Sequence, residues 1–211
     1  MFGSQGEYDK TRWFNTIKSG SLEAVKLELC TYPKAFLVGM TDSSSSRQNA
    51  LFHVVQLPNI EEANQILELL LVEGADANCK DMLQQTPLFY ASRFGHGTQV
   101  RLLVEAGAEV NSRDNYGQTS LYYSTREGQS STIALLLELG ANVNSVDNLG
   151  QTAIFYSCRE GKFESSEILI EHGANVNHSD KTRNTPLSWA KRSGNSTLVE
   201  YLITKLSLIH I

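Results

Sequence analysis

Aromatic and basic side chains recur together along the chain at a fixed interval of 33 residues. The aromatic positions and the arginines that follow each of them three residues later are Tyr90 and Arg93, Tyr123 and Arg126, Tyr156 and Arg159, and Trp189 and Arg192. Residues three apart on a helix share a face, so we expect each ring to lie beside its arginine. Tyr, Trp and Arg dominate the hot spots of protein interfaces, and guanidinium groups pair with carboxylates and phosphates. The pattern therefore predicts a surface that binds another protein or peptide, with an acidic or phosphorylated segment as one candidate ligand.

Residues that could support catalysis or bind a metal form no comparable pattern. The histidines are scattered, and none shares a helix face with a cysteine or carboxylate at metal-ligand spacing. No Walker loop, GxSxG or HExxH motif occurs in the sequence. We therefore expect a protein that is not an enzyme, with no catalytic residues, no metal site and no cofactor.

The elements that must position the rings and arginines follow from further markers at the same interval. A threonine opens each unit at Thr86, Thr119, Thr152 and Thr185. A glycine closes each unit, followed by Ala-x-x-Asn, at Gly74, Gly107, Gly140 and Gly173. A fixed interval of this length indicates an array of helical repeats, in which each unit packs only on its neighbours.

The chain resembles the ankyrin-repeat family over nearly its whole length. Thr86-Pro87-Leu88 and Thr185-Pro186-Leu187 match the opening of the family repeat, Gly95-His96 matches its inter-helix turn, and residues 140–144 match its closing loop. The resemblance implies an all-α solenoid of about six helix-turn-helix repeats with short β-turn hairpin tips. It also implies a binding module, because ankyrin arrays rarely catalyse and usually hold partner proteins on the concave side.

The resemblance also places the candidate binding residues on one surface. The first helix of each repeat lines the concave side in this family, so the rings and arginines would form a strip with copies about 10 Å apart. The turn tips add Leu83, Tyr116 and Leu149, which lie in the usual contact zone of the family. In the alternative interpretation, the arginines only pair with acidic groups of adjacent repeats and the tyrosines fill gaps between first helices.

The markers divide the chain into one domain, residues 1–211. A leader (1–8) precedes an N-terminal cap repeat (9–41), and the second repeat (42–80) carries an insertion near Pro58 that enlarges its inter-helix turn, with Asn59 as the expected helix cap. The remaining repeats are 81–113, 114–146, 147–179 and a C-terminal repeat at 180–211.

Three features depart from the family pattern. Residues 35–48 form an irregular connection, which we interpret as a solvated loop, with the serines at 43–46 as an alternative phosphorylation site. The fourth residue of most openings is Phe or Tyr instead of His, so ring packing is expected to replace a polar network there. Gln84 and Arg183 stand where Gly117 and Gly150 occupy the turn, so both are expected to adopt positive φ.

The composition argues against several other partners. A formal net charge of −5 and a pI near 5.6 disfavour nucleic acid and anionic membranes, which need clustered Lys and Arg. No apolar run approaches the roughly 20 residues that span a bilayer. The three cysteines form no CxxC pair and the N-terminus has no apolar signal sequence, so a cytoplasmic or nuclear location is expected. We also expect a monomer.

The leading hypothesis is a protein-interaction scaffold that binds an extended partner segment in its concave groove. An alternative is a non-catalytic targeting or regulatory module of a larger enzyme, with the chemistry beyond Ile211. A third hypothesis is a methyl-lysine peptide reader, since aromatic rings can enclose a quaternary ammonium, although the neighbouring arginines would repel a cation.

Overall fold

The computed structural model describes residues 10–42 and 47–209 of the chain. The predicted leader and the serines at 43–46 lie outside the described residues. The described part contains 13 α-helices and no strand, with one isolated β-bridge between Thr41 and Asn49. The all-α prediction is confirmed.

Twelve of these helices form six consecutive pairs that stack into two layers. The first helices of the pairs are α1 (Lys10–Lys18), α4 (Ala50–Val54), α6 (Pro87–Phe94), α8 (Ser120–Glu127), α10 (Ala153–Arg159) and α12 (Pro186–Ser193). The second helices are α2 (Leu22–Thr31), α5 (Ile60–Val72), α7 (Gly97–Glu105), α9 (Ser130–Glu138), α11 (Phe163–Glu171) and α13 (Ser196–Ile209). Each first helix packs on the first helices beside it, and each second helix packs on neighbouring second helices. This arrangement is the predicted solenoid of six helix-turn-helix units.

The remaining helix, α3 (Lys34–Val38), lies in the segment that the sequence analysis treated as an irregular connection. That expectation is wrong for residues 35–38. Leu37 and Val38 of this helix are buried in the core, 0% and 5% exposed, so apolar contacts stabilise a short helix there. Pro33 precedes the helix, and its restricted φ favours a helix start.

The core lies between the two helix layers and runs through all the repeats. It is built from apolar residues at helical spacing on the facing sides, and members that are 0–1% exposed include Leu88, Val100, Leu103, Leu121, Ile133, Leu136, Ile154 and Leu169. Each repeat packs these side chains against its own pair and the adjacent pairs. The first helices are thereby held as a regular row, which positions the candidate site.

The helix ends match the sequence markers. Gly107, Gly140 and Gly173 follow the second helices with φ of +91°, +91° and +85°, in the left-handed region that glycine adopts without strain. Asn59 caps α5, as predicted, because its side-chain oxygen accepts a hydrogen bond from the amide of Glu62 at 3.4 Å.

The tips between repeats are β-turns that begin at an aspartate. The amide of Gln84 donates to the carbonyl of Asp81 at 3.0 Å, and Gly117 donates to Asp114 at 2.9 Å. Gln84 has φ of +62° and Arg183 has φ of +63°, as expected for residues that replace a turn glycine. The chain tolerates this strain at two tips of the array.

We predict that Gly140→Ala lowers the free energy of unfolding by about 1–2 kcal/mol, because an added Cβ disfavours the left-handed conformation. No atom lies within 4 Å of that Cβ position, so the effect would come from the backbone alone. Gly97→Ala is the matched control, since Gly97 is helical and its Cβ would meet only Leu135 Cδ2, at 3.7 Å. Urea denaturation should show a lower free energy of unfolding than wild type for Gly140→Ala and no decrease for Gly97→Ala. Equal midpoints would contradict the assigned helix end.

Candidate functional site

Each tip of the regular repeats buries the carboxyl group with which it begins. Asp114 is 6% exposed and accepts hydrogen bonds from the amides of Tyr116 and Gln118, both at 2.9 Å. Asp81 and Asp147 make the same pair of bonds within their own turns. The carboxyl group therefore holds the turn closed, and its second oxygen remains available for other donors.

Tyrosine hydroxyls of the first helices bond that second oxygen. The hydroxyl groups of Tyr90, Tyr123 and Tyr156 donate to the Oδ2 atoms of Asp81, Asp114 and Asp147 at 2.8, 2.7 and 2.7 Å. A glutamine side chain of the preceding repeat donates to each tyrosine oxygen, from Gln48, Gln85 and Gln118 at 2.9, 2.6 and 2.6 Å. We call each such set a Gln–Tyr–Asp triplet. Every triplet joins two adjacent repeats by hydrogen bonds.

The environment of these tyrosines keeps their hydroxyls protonated. Burial, the hydrogen bond to Asp81 and the charge of Asp81 raise the pKa of Tyr90 to about 12. Burial and the corresponding aspartates also raise the pKa of Tyr123 and of Tyr156 well above the ordinary value. The hydroxyls therefore act as hydrogen-bond donors rather than as acids.

Edge contacts between rings connect the same first helices. The centroids of Phe52 and Tyr90 lie 5.3 Å apart and those of Phe89 and Tyr123 lie 5.6 Å apart, both in T-shaped geometry. The hydroxyl oxygen of Thr152 is buried without a hydrogen-bond partner, as expected if the family's polar network at the repeat opening is absent. Ring packing replaces that network at Phe52 and Phe89, as predicted. The prediction is wrong at Tyr122, whose hydroxyl donates to the carbonyl of Gln151 at 2.5 Å, and at Ser188, which forms a capping box with Thr185.

The four arginines lie over aromatic rings of the first helices, and Arg93 and Arg159 also contact a ring of the next repeat. The guanidinium carbon of Arg93 is 4.6 Å from the ring centroid of Tyr123, and that of Arg126 is 5.1 Å from the same ring. The other contacts are Arg93 over Tyr90 at 5.6 Å, Arg159 over Tyr156 at 4.5 Å and over Trp189 at 5.9 Å, and Arg192 over Trp189 at 4.9 Å. Rings and guanidiniums thus alternate along α6, α8, α10 and α12. We call this set of eight residues the arginine–aromatic strip.

The members of the strip differ in exposure. Tyr123 and Tyr156 are only 4% and 5% exposed, whereas the side chains of Arg126 and Arg159 are 37% and 35% exposed. The strip thus presents mainly guanidinium groups, with the tyrosine rings beneath them. The burial of these two rings agrees with the alternative interpretation, in which the tyrosines fill gaps between first helices.

Two of the arginines carry an acidic neighbour. Glu127 Oε1 accepts from Arg126 Nε and Nη2 at 3.1 and 3.0 Å, and Glu160 Oε1 accepts from Arg159 Nε at 3.2 Å. The alternative interpretation placed such acids on adjacent repeats, but here each acid is the next residue of the chain. These pairs are exposed to solvent, where an ion pair contributes little to stability.

The tips form an apolar edge of the same repeats. Leu83, Tyr116 and Leu149 are 43%, 56% and 59% exposed. Backbone bonds join successive tips, because the amides of Asn115, Asn148 and Lys181 donate to the carbonyls of Leu83, Tyr116 and Leu149 at 3.0, 2.9 and 3.0 Å. The three exposed side chains are therefore held in a fixed row.

Sequence reasoning missed two parts of this arrangement. The glutamine that precedes the repeat opening recurs at Gln48, Gln85, Gln118 and Gln151, and this recurrence was the available signal. His53 occupies the tyrosine position of the second repeat, and its Nε2 lies 3.1 Å from Asp42 Oδ2. Asn49 aligns with the opening threonines, and this alignment places His53 four residues later, where the tyrosines stand in the following repeats.

His53 lies in a partly enclosed setting that differs from the tyrosine positions. Burial and the charge of Lys18 lower the pKa of His53, while Asp42 acts in the opposite direction. The neutral imidazole can donate to Asp42 in the way that the tyrosines donate to their aspartates. The residue therefore continues the row toward the N-terminal repeats.

The thiols of Cys79 and Cys158 lie in surroundings that disfavour the thiolate. Burial raises the pKa of the Cys79 thiol and of the Cys158 thiol to about 12, so neither is activated as a nucleophile. Within residues 10–42 and 47–209, no cluster of three metal-ligating side chains occurs. None of the helices in these ranges has the length and apolar character needed to cross a membrane.

Paired helices in two stacked layers, with a turn at each junction, define a helical repeat protein. A family model described as ankyrin repeats (three copies) matches residues 51–147 and 139–210, and the chain belongs to the ankyrin-repeat family. No curated protein matches the sequence. Ankyrin repeats are generally protein–protein interaction modules, and the family is typically non-catalytic.

We predict that Tyr123→Phe lowers the free energy of unfolding by about 1–3 kcal/mol, because it removes two hydrogen bonds from buried partners. The change removes the donor to Asp114 and the acceptor for Gln85. Tyr116→Phe is the matched control, since that ring is 56% exposed at a tip. Chemical denaturation should give a lower free energy of unfolding for Tyr123→Phe than for Tyr116→Phe. A Tyr123→Phe variant as stable as the control would show that the triplet does not stabilise the array.

A further prediction concerns Asp180, the acidic residue of the last tip. Burial alone would raise its pKa, but hydrogen bonds from Gln151, Thr182 and the turn amides outweigh this effect and lower the pKa well below its ordinary value. A lowered carboxyl pKa contributes stability at neutral pH that is lost as pH falls below about 4. We therefore expect Asp180→Asn to destabilise the protein at pH 7, with a smaller difference from wild type near pH 3. Urea denaturation at both pH values tests this, and a difference that does not shrink in acid would contradict it.

Proposed function

We propose that this protein binds an extended, acidic segment of another protein along the arginine–aromatic strip, with the apolar tips as a second line of contact. The observation that carries the proposal is the row of guanidiniums held over rings on four consecutive first helices. Cations at regular intervals on one surface favour a ligand that carries anionic oxygens.

The rings position the arginines before any partner arrives. An arginine side chain loses conformational freedom when it binds a ligand, and that loss opposes binding. Arg93 and Arg159 each contact two rings, and the hydroxyls of the tyrosines beneath them are bonded to buried aspartates. Part of the entropy cost is therefore met during folding, which favours binding at this surface.

The spacing of the strip favours an extended ligand. Neighbouring packed helices are about 10 Å apart, and an extended chain advances about 3.3 Å per residue. In the polyproline II conformation, which has three residues per turn and advances about 3.1 Å per residue, every third side chain of the peptide would face the next arginine. The intervening side chains could contact the row of Leu83, Tyr116 and Leu149.

The methyl-lysine alternative finds less support in this geometry. A methylammonium reader needs open ring faces that converge on a cation. Here guanidinium groups already lie over the rings of Tyr123, Tyr156 and Trp189. A methylammonium group of a ligand would clash with these guanidiniums and would be repelled by their positive charge.

We predict that Arg126→Glu combined with Arg159→Glu weakens acidic-peptide binding more than about tenfold, because two cations are replaced by like charges. The probe is a fluorescein-labelled peptide of about twelve residues with glutamate at every third position, measured by fluorescence anisotropy. Wild-type affinity should also fall as salt rises. A phosphoserine peptide of the same pattern distinguishes carboxylate from phosphate recognition.

The control for this test is Lys26→Glu combined with Arg101→Glu, which changes the net charge equally. Both residues are exposed on second helices, α2 and α7. This control should bind the peptide nearly as wild type does. Equal binding by the two double variants would show that the strip is not the site.

A further inference from the structure

The residue that follows the arginine differs among the four repeats of the strip. It is Phe94 in α6, Glu127 in α8, Glu160 after α10 and Ser193 in α12. Glu127 and Glu160 form ion pairs with their arginines. Arg93 forms no ion pair with any carboxylate in the described part of the chain.

Arg93 is nevertheless held firmly in place. Its guanidinium contacts the rings of Tyr90 and Tyr123, and the nearby carboxyl groups of Asp81 and Asp114 are engaged by the hydroxyls of these rings and by turn amides. The Nε atom of Arg93 is buried and has no hydrogen-bond partner. The side chain therefore combines a fixed position with an unsatisfied donor, which is costly in the unbound protein.

The neighbouring repeat shows how a carboxylate binds an arginine of this row. A single oxygen of Glu127 bridges Nε and Nη2 of Arg126. In the third repeat Phe94 replaces that glutamate, so a carboxylate at the corresponding edge of Arg93 must come from another molecule. Because Nε itself is buried, such a carboxylate would reach Arg93 through the Nη atoms of its guanidinium.

Phe94 adds an apolar contact next to this cation. Its side chain is 44% exposed, and its ring stacks on the ring of His96 with centroids 5.6 Å apart and planes 30° apart. One face of the Phe94 ring packs on His96 and the other is exposed, so an apolar side chain of a partner that packs on the exposed face would add favourable binding energy. The third repeat thus presents a cation and an open aromatic surface on consecutive residues.

We infer that Arg93 and Phe94 form the specificity-determining anchor of the binding strip, which selects an acidic residue adjacent to an apolar residue of the partner. This inference rests on the proposed function and defines its ligand more closely. Arg126 and Arg159 add to affinity through their charge, because their ion pairs with Glu127 and Glu160 are solvent-exposed and weak. They contribute less to selection, because a carboxylate of the same chain already lies at each of them. The expected ligand is an extended peptide with one fixed acidic–apolar pair and variable flanks.

The test uses a random peptide library of about twelve residues displayed on phage and selected with the wild-type protein. We expect enrichment of Asp or Glu next to a large apolar residue. The synthetic consensus peptide is then titrated against Phe94→Glu, which copies the fourth and fifth repeats, and against Phe94→Ser, which copies the sixth. Phe94→Glu should weaken binding at least about tenfold, since the new carboxylate competes for Arg93, repels the acidic residue of the peptide and replaces the apolar ring. Phe94→Ser should retain the acidic preference and lose the apolar one.

The reciprocal variant Glu127→Phe should tighten binding or add a second site, because it recreates the anchor in the fourth repeat. All three substitutions are at exposed positions, so circular dichroism melting should remain close to wild type. Equal binding of the consensus by wild type and Phe94→Glu would overturn the anchor and leave the strip in place. If no acidic peptide is enriched by the wild type, both the anchor and the proposed function fail.

Discussion

A buried carboxyl group at the base of each tip must be supplied with hydrogen bonds, because an unpaired one would cost several kcal/mol. Asp114 receives them from two amides of its own turn, from the Tyr123 hydroxyl and from the side chain of Gln85 at 3.1 Å. The last donor belongs to the preceding repeat, so a local requirement sets the position of one repeat against the next. The arginine–aromatic strip depends on this arrangement, since the same hydroxyls hold the rings beneath the guanidiniums.

Much of the fold could be predicted because its determinants are local in sequence. Thr86 precedes α6 and Gly107 follows α7, and each depends on backbone conformation within a few residues. The positive φ of Gln84 followed in the same way, from comparison of one tip with another. The short helix α3 was not predicted, because a single run of three apolar residues has no detectable periodicity.

The candidate site was predicted less completely. A shared interval shows that Tyr123 and Tyr156 have the same environment, but not whether that environment is solvent or the adjacent helix. Their burial depends on contacts across repeats, with partners such as Gln85 that are 38 residues away in the sequence. His53 was missed for another reason, because the pattern was defined by tyrosine and tryptophan, and a histidine takes their place in the second repeat.

The triplets also have a consequence for how the array loses its structure. In a linear stack each repeat contacts only its neighbours, so the ends could fray one unit at a time. Removal of one repeat here would withdraw a glutamine from the tyrosine of the next, as with Gln118 and Tyr156. The aspartate of the neighbouring repeat would then become exposed to solvent or lose part of its hydrogen bonding. Loosening in one repeat therefore spreads to the next, and the polar contacts make a modular chain unfold as a cooperative unit.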